Sequence, residues 1–106
     1  MIIENIIQKI KDKKIKWRGH ASKRIIEREI ERDDVIASIL HGEIIEEYPE
    51  DFPYPSFFIL GYTKDGIPLH TVCAIGQDIL WIITVYIPDL KKWKPTYKKR
   101  KSKEER

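Results

Sequence analysis

Apolar residues recur at helical spacing in the first third of the chain. Ile2, Ile3, Ile6, Ile7 and Ile10 repeat at i, i+3 and i+4, which predicts an amphipathic helix over residues 2–13. Ile15 to Trp17 reads as a short strand, and Gly19 breaks the pattern. From His20 to Ile30 the helical period returns, with Ala21, Ile25 and Ile26 facing inward. Asp33 or Asp34 is placed to cap a third helix, because a carboxylate accepts from the free N–H groups of a first turn. That helix carries Val35, Ile36, Ile39 and Leu40 and stops at Gly42, a residue suited to a left-handed end.

The pattern then changes to that of strands. Glu43 to Tyr48 is the first of them, followed by a loop stiffened by Pro49, Pro53 and Pro55. Phe57–Thr63 and Ile67–Ile75 flank Asp65-Gly66, read as a two-residue hairpin turn. Residues 76–78 make a second turn. The run Ile79–Ile87 is nearly all apolar, which predicts a central strand buried on both faces, and Pro88 ends it. On that strand Ile82, Thr84 and Tyr86 are expected on one face. The order, helices first and strands after, predicts an α+β domain. Two or three N-terminal helices pack on one face of a three- to four-stranded antiparallel sheet.

Composition bounds the class. The chain has 106 residues, 42% hydrophobic and 35% charged, which fits one globular domain rather than a disordered chain. We read residues 1–93 as that domain and 94–106 as a basic, flexible tail. The lone cysteine, Cys73, excludes an internal disulfide and fits a reducing cytosol. No apolar run is long enough for a membrane span, and the start lacks the pattern of a signal peptide, so a cytoplasmic protein is expected. One Asn and two Gln in a chain rich in Ile, Lys and Glu point to a thermophilic source.

Charge is segregated. Residues 1–40 carry a net +3, residues 41–90 a net −7 and residues 91–106 a net +7. The basic end fits either a polyanion or an acidic partner. Trp93, Pro95 and Tyr97 interleave there with Lys91, Lys92, Lys94, Lys98, Lys99 and Arg100. Aromatics among cations can stack bases while the cations neutralise phosphates, so Lys91, Lys92, Trp93, Lys94, Lys98, Lys99 and Arg100 are candidate RNA-binding residues. The same residues could also pack Trp93 on a sheet edge.

His20, Arg24, Glu27 and Arg28 fall on one helical stripe at about 100° per residue. Paired guanidinium groups grip phosphate, and histidine transfers protons near neutral pH. The same stripe could be a solvated face tied by Arg24–Glu27 and Glu27–Arg28 contacts. His70 lies mid-strand, where a half-buried structural role competes with a catalytic one. Tyr86 sits near a strand end, where its hydroxyl reaches the rim. The three histidines are scattered without metal-ligand spacing, so no metal and no cofactor are expected. Cys73, inside an apolar strand, reads as an inert packing group.

The run Gly42–Ser56 (GEIIEEYPEDFPYPS) resembles a known motif. His20-Ala21 and Arg24–Arg28 precede it; Pro68-Leu69-His70, Ile83–Asp89 and Trp93 follow it. Together, over about residues 17–93, they resemble the domain of unknown function 4258 family. That family is similar to the RelE/ParE toxin superfamily, with its BrnT- and MqsR-like members. The resemblance implies a RelE-like fold and a ribonuclease toxin of a type II toxin–antitoxin system. It also implies a cognate antitoxin, a small zinc-finger protein, as partner, with RNA or the ribosome as target. It puts His20, Arg24, Arg28, His70 and Tyr86 in motif blocks. The expected chemistry is metal-independent attack by a ribose 2′-hydroxyl on mRNA. His20 or His70 would act as base and acid, Arg24 and Arg28 would carry transition-state charge, and Tyr86 would position the substrate. Two rival readings remain. One is a non-catalytic interaction module using the Tyr48–Ser56 loop and sheet edge. The other is a nucleic-acid accessory protein working through the tail.

Overall fold

The fold was analysed in a computed structural model, which describes residues 2–19, 30–88 and 98. Helix α1 spans Ile2–Lys11 and seats Ile6 and Ile10 in the core, as the isoleucine spacing requires. It ends in a left-handed residue, Lys13 (φ 58°). The Lys13 N–H donates to Ile10 O at 3.1 Å and the Lys14 N–H to Lys9 O at 2.9 Å. These two bonds satisfy carbonyls that a helix end leaves unpaired. The predicted helix over residues 20–30 lies outside the described residues, apart from buried Ile30.

Helix α2, Arg32–Leu40, begins two or three residues earlier than a cap at Asp33 or Asp34 implies. Glu31 is its capping residue, and the Glu31 N–H donates back to Asp34 Oδ2 at 3.4 Å. Asp33 and Asp34 lie inside the first turn, where their charge still faces the positive end of the helix. Gly42 is not left-handed, contrary to expectation; the only positive-φ glycine among the described residues is Gly66. Its smallness serves close packing instead. A Cβ there would lie 2.5 Å from Ser38 O and 2.8 Å from Leu60 O. Gly61 is tighter still, with Ser38 O 1.9 Å from where a Cβ would stand. The α2 backbone therefore rests almost directly on the sheet.

The sheet corrects the predicted one in two ways. Among the described residues it has five strands, and it is mixed. β1 (Ile15–Trp17), β2 (Glu43–Tyr48), β3 (Ser56–Tyr62), β4 (Pro68–Gly76) and β5 (Ile79–Tyr86) assemble in the order β1-β5-β4-β3-β2. β2 to β5 form the expected antiparallel meander. β1 joins it in parallel beside β5, with Ile15 level with Leu80 and Trp17 with Ile82. Its backbone is tied at both ends, by Leu80 N–H to Lys14 O (2.8 Å) and Arg18 N–H to Ile82 O (3.0 Å).

Both hairpins differ from their simplest reading. The β3–β4 connection is a three-residue loop, 64–66. Gly66 (φ 82°) donates to Thr63 O, and the Thr63 N–H donates to Ile67 O, at 2.9 Å each. The Thr63 hydroxyl also accepts from Asp65 N–H and Ile67 N–H, which widens the turn beyond two residues. The β4–β5 turn is the two-residue one. Gln77 and Asp78 both have positive φ, the conformation that matches strand twist.

α1 packs on β5, and α2 on β3 and β4. Between them lies one core of Ile6, Ile10, Ile30, Val35, Ile39, Ile59, Leu69, Cys73, Leu80, Ile82 and Val85. The pairing of β4 with β5 skips Ile83, so that Cys73 faces Ile82 while Val72 faces Thr84. This bulge overturns the expectation that Ile82, Thr84 and Tyr86 share a face. Ile82 belongs to the helix side, whereas Thr84 and Tyr86 point to the other. β5 is also less enclosed than its composition predicts: Leu80, Ile82 and Val85 are buried, but Trp81, Ile83, Thr84 and Tyr86 are half-buried.

Candidate functional site

The face of the sheet away from α1 and α2 carries the polar and aromatic groups. His70 on β4 is paired with Leu60 on one side and Tyr86 on the other. Its Nδ1 is 3.1 Å from the Tyr86 hydroxyl. With the ring proton on Nε2, the phenol donates and Nδ1 accepts; the other tautomer reverses the roles. Phe58, one step diagonal on β3, sets its ring edge-on to the imidazole at 4.9 Å and 85°. The Tyr86 ring meets the imidazole at 5.2 Å and 80°. Such edge-on pairs fix ring orientation through the quadrupole of each ring. His70 has no exposed surface, while Tyr86 is half-buried. A phenol held by a fixed imidazole can donate or accept a proton.

Two of the five catalytic candidates are thus brought together. His20, Arg24 and Arg28, together with Glu27, lie outside the described residues. So do Lys91, Lys92, Trp93, Lys94, Lys99 and Arg100 of the basic segment. Lys98 is described: its ammonium lies 2.8 Å from Glu43 Oε1, in a half-exposed pair at the start of β2. The carboxylate, through hydrogen bond and charge, raises the Lys98 pKa above its usual value. Cys73, fully enclosed in the core, has its thiol pushed up to about 12 by burial, which keeps it from acting as a nucleophile.

A second cluster went unforeseen. Beyond Ala74 on the same face, the proline loop folds over the sheet and leaves a cleft of about 100 Å³. Arg18, Asp51, Phe52, Tyr54, Trp81 and Ile83 are among its walls. The Tyr54 ring lies where a side chain at Gly76 would otherwise stand, which is why residue 76 has none. The Ser56 hydroxyl, buried at the loop's end, donates to Asp51 Oδ2. Trp81 is oriented by its own Nε1–H, which donates to Gly76 O at 3.1 Å. Lys16 and Arg18 place their cations 5.6 and 6.0 Å from the Trp81 ring centre. The sequence signal was present in the Lys16-Trp17-Arg18 triplet and in Trp81. The link between them is the parallel β1–β5 pairing, which no local pattern reveals.

Among the described residues, no helix is long and apolar enough to cross a membrane. No curated protein and no solved structure matches the chain. The sequence profile of a family described as "Domain of unknown function (DUF4258)" matches residues 17–87. The matched stretch begins at the end of β1 and closes just after Tyr86, taking in the His70–Tyr86 pair and the proline loop. Spanning well over half of its length, this match shows that the chain belongs to the DUF4258 family.

Proposed function

We propose that this protein is the toxin of a type II toxin–antitoxin system and a metal-independent endoribonuclease acting on mRNA, with a RelE-like fold. Three things support the reading. The motif blocks are those of the DUF4258 family, which resembles the RelE/ParE superfamily. The first strand lies beside the last, and an antiparallel meander ends on Tyr86. β1 also runs in the same direction as β5, with Trp17 level with Ile82, so the chain that leads into His20 departs towards the Tyr86 end. The observation that carries the reading is the 3.1 Å contact between the His70 imidazole and the Tyr86 phenol.

The chemistry asked of these groups is simple. A base removes the proton of a ribose 2′-hydroxyl, the oxygen attacks phosphorus, and an acid protonates the leaving 5′-oxygen. Arg24 and Arg28 offset the charge gathered on the phosphorane-like transition state. His70 has no exposed surface, so within this scheme Tyr86 is the member of the pair that meets RNA, and His70 orients it and shares its proton. His20 is the second proton-transfer group. The antitoxin is a small zinc-finger protein that masks this face.

Expression of the wild type, His20→Ala, His70→Ala and Tyr86→Phe in a bacterial host tests the reading. The wild type should arrest growth and release RNA fragments with 5′-hydroxyl ends, and each variant should lose both effects. Equal toxicity in all four removes the acid–base assignment. The burial of His70 favours a second reading, a non-catalytic interaction module. There His70 and Tyr86 are a packed polar pair beside Phe58, and the loop bearing Phe52, which is 96% exposed, binds a protein. A harmless wild-type protein that forms a stable protein complex would support it.

A further inference from the structure

We propose that the cleft between the proline loop and β5 binds an unpaired base of single-stranded RNA, stacked between Phe52 and Trp81 with its phosphate on Lys16 and Arg18. The inference deepens the ribonuclease reading and rests on it for the choice of RNA as ligand.

The walls of the cleft argue for a flat, apolar ligand attached to an anion. Phe52 is 96% exposed at the mouth, although phenylalanine is among the residues most often buried. Trp81 is half-buried and fixed in place by its bond to Gly76 O. Two aromatic rings, one exposed and one anchored, provide stacking area that accepts any base. The cations stand on the Trp81 ring, with Lys16 and Arg18 both exposed to solvent. A base stacked there has its phosphate within reach of both. Asp51 stands at the cleft wall with Oδ2 accepting from Ser56, and a carboxylate there suits an amino group on a base edge.

The cleft also has a sensible position. Trp81 is paired with Ala74, and Ala74 and His70 lie on the same face of β4, four residues apart. At the rise of a strand this is about 13 Å. A single RNA strand can therefore reach both the cleft and the half-buried Tyr86 without entering the buried surface around His70. The cleft then sets where along the RNA the chain engages.

The test is fluorescence anisotropy of the full chain with labelled single-stranded RNA twelve-mers, over a salt series. Phe52→Ala is the main variant, because a side chain so exposed contributes little to folding; Arg18→Ala and Asp51→Asn accompany it. Loss of one stacked base should weaken affinity by about fivefold or more at unchanged melting temperature. Arg18→Ala should reduce the salt slope by about 0.7, the value for one lost phosphate contact on a single strand. Asp51→Asn should weaken amino-bearing bases more than uracil runs. Wild-type RNA binding left unchanged by Phe52→Ala and Arg18→Ala overturns the inference while leaving the ribonuclease reading intact. Cleft-dependent binding without any cleavage upholds the inference and ends that reading. Absence of RNA binding, or capture by the loop of a protein instead, overturns the inference.

Discussion

His70 and Tyr86 stand directly opposite each other on β4 and β5, and they do so only because Ile83 is skipped in the pairing. From the Gln77-Asp78 turn the strands pair regularly as far as Cys73 with Ile82. Continued without a bulge, that register would set Val85 against His70 and turn Tyr86 towards the helices. The extra residue moves Val85 onto Thr71 and brings the phenol to the imidazole. A single insertion thus supplies both a core valine and a polar pair.

Removing the phenol should be felt in stability. Tyr86→Phe deletes the 3.1 Å bond to a histidine that has no exposed surface. Such a loss costs roughly 1–3 kcal/mol. Chemical denaturation should show it, and a double-mutant cycle with His70→Phe should be clearly non-additive. Additive effects would mean that the two side chains do not act as a unit.

Gly61→Ala should be severely destabilising. The added methyl would sit 1.9 Å from Ser38 O, a backbone atom that cannot rotate away. Separating α2 from the sheet opens packing defects, and overpacking of this kind costs about 1–3 kcal/mol or more. A melting curve unchanged from wild type would show that α2 is not held against β3 as described.

Asp78 should leave a signature in acid. The hydrogen bonds from Lys14 and then Lys9, with the charges of both, hold its carboxyl down to about 2 from an ordinary 3.8. A carboxyl depressed on folding stabilises the native state above its unfolded pKa, and the effect is lost as pH falls through the folded value. Urea midpoints of wild type and Asp78→Asn should therefore differ near pH 5 and converge between pH 4 and 2. Because all three groups are at the surface, the difference should be small and should shrink in high salt. A gap that persists undiminished at pH 2 would rule out the ion pair as its cause.

How much of this was legible in the sequence depends on the range of the interaction. α1, the strand Glu43–Tyr48 and the inert Cys73 follow from local spacing and composition, and the structure shows them. The cap of α2 falls on Glu31 rather than on Asp33 or Asp34, because all three carboxylates precede the same apolar run and local sequence does not distinguish them. Gly42 reads as a left-handed turn, whereas its role is set by the close approach of Leu60 on β3, which no local window contains, as well as by Ser38 of the preceding helix. β1 was visible as a strand, but not as the parallel neighbour of β5. For the site, His70 and Tyr86 were each singled out, but their pairing was hidden because the alternation along β5 breaks at Ile83. The cleft was hidden for the same reason: Arg18 and Trp81 are distant in sequence and meet only through β1–β5 pairing.

The measurement that bears most directly on the proposed activity is cleavage of a defined mRNA fragment by purified protein in the presence of EDTA, with the new ends analysed chemically. Wild type should produce 2′,3′-cyclic phosphate and 5′-hydroxyl ends. Tyr86→Phe, shown by circular dichroism to be folded, should be slower by at least about a hundredfold. RNA left intact by the wild type, or cut at an equal rate by folded Tyr86→Phe, would contradict the account.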